Sequence, residues 1–144
     1  MGTSQYIDIL LDAEIEKLLE EHPEQYNRVR HLQSSKFIFI TRVNFNADEL
    51  LTPESFHENF AKRLRFPKYY GENMDAWVDV MVDMMKNELW PMAKCCVVGG
   101  GTLDIAIKDS KAFQESPMYN ELVDCVKSIN EEKVKYQYLR LVFE

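Results

Sequence analysis

Asp75, Asp79 and Asp83 recur every four residues, directly after the run Tyr69-Tyr70-Gly71-Glu72-Asn73. A helix turns ~100° per residue, so carboxylates at this spacing stack on one face. Paired carboxylates can do acid–base chemistry, but only where their surroundings drive their pKa values apart, and this pattern leaves Asp75 and Asp79 equally exposed. Binding is the better use. Like charges four apart cost a few tenths of a kcal/mol per pair. Between Tyr69 and Pro91, five acids (Glu72, Asp75, Asp79, Asp83 and Glu88) face Lys86 alone, so more than half of the formal charge of −7 sits in that segment. The plain reading is a solvated helix face. An uncompensated acidic face beside exposed tyrosines also suits a basic partner, because complementary fields steer encounter.

Local elements must hold these groups. Gly71 admits a positive φ and predicts a tight turn, and Asn73 reads as the N-cap of a helix starting at Met74. Met74, Trp77, Val78, Met81 and Met85 follow at helical spacing and predict the buried stripe. Among methionines at this spacing, Trp77 reads as core.

The ordered set Pro67, Tyr69, Tyr70, Gly71, Glu72, Asn73, Asp75, Ala76 and Asp79 resembles the central motif of the barstar family, small intracellular proteins that bind a ribonuclease and block its active site. The resemblance implies a stoichiometric ribonuclease inhibitor, the immunity partner of a secreted basic toxin, and no enzyme. It implies that Tyr69, Asp75 and Asp79 contact the ribonuclease, with the aspartates where RNA phosphates would lie, while Gly71 and Asn73 shape the loop. It further implies a monomer that forms a one-to-one heterodimer and needs no cofactor. The family's tryptophan corresponds to Val78, one place after Trp77, which turns the side chain by ~100°. The family also uses an acid on its last helix, and no local motif identifies it in this chain. A binding module of the same fold with another basic partner is the alternative, since fold does not determine function.

At 144 residues, 46% hydrophobic and 28% charged, the chain fits a soluble globular protein. Its acidity argues against general nucleic-acid binding, which draws on Lys and Arg at phosphates. Cys95, Cys96 and Cys125 imply no disulfide framework. No apolar run approaches a membrane span, and a reducing cytoplasm is the expected location. His22, His31 and His57 show no metal spacing, and His57 reads as a surface residue. Gly99-Gly100-Gly101 lacks the following Lys and Ser or Thr of a phosphate loop and reads as a turn.

Ile7, Leu10, Leu11, Ile15, Leu18 and Leu19 predict a helix ending near His22-Pro23, and Glu24 to Leu32 a weaker one. Residues 1–35 are thus expected to form a helical N-terminal extension, and 36–144 the barstar-like domain. Within it, strands are expected at Phe37–Ile40, Thr102–Lys108 and Tyr138–Phe143. Helices are expected after Thr52-Pro53, after Asn73 and over Met118–Asn130, with Leu89-Trp90-Pro91 ending the second. The fold class is α/β, ordered β-α-α-β-α-β, with a small, mostly parallel three-stranded sheet.

Overall fold

Alternating strand residues determine which face of the sheet each layer covers. The computed structural model describes residues 6–86, 94–97, 102–133 and 138–144. In chain order the elements are β1 (Ile7–Ile9), α1 (Asp12–Glu21), α2 (Tyr26–Ser34), β2 (Ile38–Asn46), α3 (Pro53–Leu64), α4 (Met74–Lys86), β3 (Cys95–Cys96), β4 (Thr102–Lys108), α5 (Lys111–Gln114), α6 (Pro117–Ser128) and β5 (Tyr138–Phe143). The expected endpoints at Leu89-Trp90-Pro91 and the turn at Gly99-Gly100-Gly101 lie outside the described residues. No helix among the described residues is long and apolar enough to cross a membrane.

β2, β4 and β5 pair in parallel, as expected for strands separated by helices. Val43, Phe45, Leu103, Ile105, Ile107 and Leu139 enter the principal core. Asn44, Asp104 and Arg140 alternate with them, and Arg140 grips Asp104 on the neighbouring strand through two bonds of 2.8 Å. Over the apolar face, α3, α4 and α6 lay down Phe56, Phe60, Trp77, Met81, Leu122 and Val126. α3 starts where the local chemistry says it must. Thr52 Oγ1 accepts the Ser55 N–H at 3.2 Å, and Pro53 takes the first helical position.

Two expectations change. Ile7 shares the helical spacing of Leu10 and Leu11, yet it lies in β1, opposite Val43 in an antiparallel ladder, and the helix begins at Asp12. A free edge of β2 offers unpaired N–H and C=O groups, and pairing satisfies them while burying Ile7. The sheet is therefore mixed and has five strands, not three: the path is β1-β2-β4-β5, and β3 pairs in parallel with the start of β2.

Beyond β1, the extension builds a second core. Ile15 and Leu19 of α1 and Val29 and Leu32 of α2 pack with Phe39 and Cys96. Full burial of each aliphatic side chain is worth about 1.5–3 kcal/mol. Adjacent strand residues point to opposite faces, so Cys95 enters the principal core and Cys96 the second. All three cysteines are free. Burial pushes the Cys95 thiol up to about 11 and the Cys96 thiol up to about 12.

Candidate functional site

The acidic helix is entered through a chain reversal at the end of α3. Arg65 takes the left-handed conformation there (φ 56°), and the Phe66 N–H donates to Ala61 O at 3.0 Å. A turn follows, closed by the Tyr70 N–H on Pro67 O at 3.0 Å. The positive φ expected of Gly71 belongs to its neighbour, because Glu72 is the left-handed residue (φ 51°). Gly71 answers a different need: a Cβ there would stand 3.3 Å from Asn73 Nδ2 and 3.4 Å from the Ala76 Cβ. Close packing of loop against helix is what requires it.

Asn73 caps α4 as predicted. Its Oδ1 accepts the Ala76 N–H at 2.8 Å, and its Nδ2 donates to Gly71 O at 3.2 Å, so one side chain ties the loop to the helix. The buried stripe consists of Trp77, Val80, Met81, Met84 and Met85, with Met74 and Val78 half-buried at its margin. At ~100° per residue, Asp75 and Asp79 fall opposite that stripe and are exposed, whereas Asp83 is turned partway back and half-buried. Trp77 has no exposed surface and packs on Phe56 and Phe60, so it is core as expected. Tyr69 is 76% exposed beside Asp79, and the two help to line a recess of about 90 Å³ with Pro67, Tyr70, Gly71 and Val80.

Two features of the surroundings escape local pattern. His57, expected at the surface, is buried at 3% exposure, with Nδ1 2.5 Å from the Tyr70 hydroxyl. Its burial depends on a loop residue 13 positions away, which helical periodicity cannot register. Glu121 and Asp124 of α6 also come into the neighbourhood of the acidic face. Burial, then Glu121, Asp124 and Asp75 in turn, raises the Cys125 thiol above its usual range, and Glu121 acts on His57 together with Glu72. The packing of α6 beside α4 thus supplies acids from the last helix, which no local motif identified.

A roomier hollow of about 440 Å³ lies elsewhere, lined by Tyr6, Asn44, Asn46, Glu49, Arg63, Lys108 and Glu144. Arg63 there stacks between the rings of Tyr6 and Phe45 and pairs with Glu49, while Glu144 pairs with Arg42. The ion pairs tie α3 to the segment after β2 and β2 to the end of the chain.

No curated protein matches the chain as a relative. The family model described as Barstar (barnase inhibitor) matches residues 40–140, from β2 through β5. With the loop, the capped helix and the α/β order all inside that span, the chain belongs to the barstar family.

Proposed function

We propose that this protein inhibits a basic ribonuclease by stoichiometric binding, as the immunity partner of a toxin. Asp75 and Asp79 occupy phosphate positions in the ribonuclease cleft, and Tyr69 fills the adjoining surface from a loop that Gly71 and Asn73 hold in shape. Arg and Lys of the partner supply charge-assisted hydrogen bonds to the carboxylates, and the tyrosine supplies desolvation at the centre. The observation that carries this reading is the pairing of a 76% exposed Tyr69 with the Asp75–Asp79 face across one capped turn.

The test is titration into small basic ribonucleases, barnase first, while RNA cleavage is followed. Cleavage is expected to vanish at one equivalent and to return when the protein is removed. Association is expected to slow as added salt shortens the Debye length from ~30 Å to ~10 Å. Asp79→Ala is expected to weaken binding by about 2–5 kcal/mol, a range to which complexes of this family contributed, while leaving the fold intact. Cleavage unaffected across the panel, with another basic protein captured from the native host, would favour the alternative binding module. Loss of activity far below one equivalent would indicate catalysis.

A further inference from the structure

His57 sits at the joint between α3 and the recognition loop. Its Nδ1 meets the Tyr70 hydroxyl at 2.5 Å, and the Tyr70 ring is held edge-on against Phe66 at 4.8 Å. Burial raises the Tyr70 hydroxyl above its usual range, so it keeps its proton throughout the histidine range. With the hydrogen of the neutral imidazole on Nε2, Nδ1 of His57 accepts from that hydroxyl. Burial holds His57 below its ordinary pKa, against the opposing pull of Glu72 and then Glu121. The groups facing the ring are Tyr70 and Glu72 from the loop, Glu121 from α6, and Glu54 and Glu58 from α3; Glu54, Glu58 and Glu72 line a hollow of about 420 Å³ with His57 and Pro53.

We propose that His57 is a positioning residue that ties the grip of the Tyr69–Asn73 loop on a basic partner to pH, an inference that rests on the inhibitor reading above. A proton on Nδ1 turns it from acceptor to donor. The half-buried Tyr70 hydroxyl must then turn its own hydrogen away from the ring, and the loss of that bond disfavours the imidazolium. That proton also places a positive charge beside Glu72 and Glu121. Reciprocally, a basic partner that covers Glu72 and Glu121 removes the field that favours the imidazolium, so binding and protonation oppose each other by the same factor.

Two measurements decide it. In the free protein, NMR from about pH 8 to about pH 4.5 follows the three histidine rings and the loop amides across the histidine range. His57 is expected to titrate below the ordinary histidine value, with the amides of Tyr69–Asn73 shifting along its curve. Tyr70→Phe removes the donor that favours the neutral ring, so the His57 midpoint is expected to rise, and His57→Gln is expected to abolish the pH response of the loop. Loop amides that ignore the His57 curve, or that respond unchanged in His57→Gln, would overturn the coupling. In the second measurement barnase is the probe, and the ratio of wild-type to His57→Gln Kd cancels its own titration. That ratio is expected to rise by up to about tenfold per pH unit below the His57 midpoint. A flat ratio with binding intact overturns the proposal. Absence of barnase binding at every pH counts against the inhibitor reading for that enzyme, and the loop titration then decides the coupling alone.

Discussion

Trp77→Ala separates folding from recognition within a single helix. The indole has no exposed surface, and its ring lies 6.0 Å from Phe56 and 5.5 Å, edge-on, from Phe60. Truncating such a side chain costs about 3–5 kcal/mol through lost transfer energy and the cavity left behind. At the usual entropy of unfolding for a chain of this length, that lowers Tm by roughly 10–20 °C. The indole Nε1 is buried with no hydrogen-bond partner among the described residues, and an unpaired buried donor costs about 1–3 kcal/mol. Trp77→Phe removes that donor and leaves a smaller void, so the two terms offset, and it is expected to stay within about 1–2 kcal/mol of the wild type. Thermal and urea unfolding followed by circular dichroism measure both variants. Binding to a ribonuclease that the wild type is found to inhibit, taken well below each midpoint, is expected to be unchanged. A Trp77→Ala protein with the wild-type midpoint that no longer binds would place the indole on the interface and refute the burial argument. A phenylalanine variant as unstable as the alanine one would refute the part concerning the N–H.

Leu32→Ala, in the second core, is expected to cost about 2–5 kcal/mol and to shift one common transition; two separate transitions would show that α1 and α2 melt apart from the rest. With a thiol reagent, half-buried Cys125 is expected to label first, and Cys95 and Cys96 at the rate of unfolding; early labelling of either would contradict their burial. Because burial holds His57 below its ordinary value, the unfolded chain takes up that proton first. The stabilising contribution is thus complete above about pH 6.5 and is lost as pH falls towards the folded-state value. Urea midpoints across that window are expected to fall more steeply for wild type than for His57→Gln, and parallel slopes would remove His57 from the account.

What could be read from the chain alone was whatever a few neighbouring residues decide. Thr52 and Asn73 cap their helices because a side-chain oxygen reaches an N–H three residues on, and both caps appear where local chemistry placed them. β1 could not be read this way. A three-residue strand has no period of its own, and Ile7 joined Leu10 and Leu11 by coincidence of spacing until the edge of β2 claimed it. The phase of α4 was legible to within a margin: Val80 and Met84 complete the stripe, and Val78 sits at its border. For Gly71 the local expectation is a positive φ, whereas the constraint in the fold is tight packing against Asn73 and Ala76, which only tertiary structure reveals. His57 and Glu121 depended wholly on elements distant in sequence, so only packing could bring them to the site.

The two residues of β3 carry a consequence for how the molecule opens. Cys95 and Cys96 are consecutive links of one backbone, yet each is anchored in a different hydrophobic layer. Pulling either layer away drags the shared strand off β2 and exposes the other. Amides in α2 and amides in α4, on opposite sides of the sheet, are therefore expected to open together, with their slowest exchange with solvent deuterium converging on a common rate. The segment that precedes the family match is in this sense a structural partner of the acidic helix α4, tied to it through a rivet two residues long.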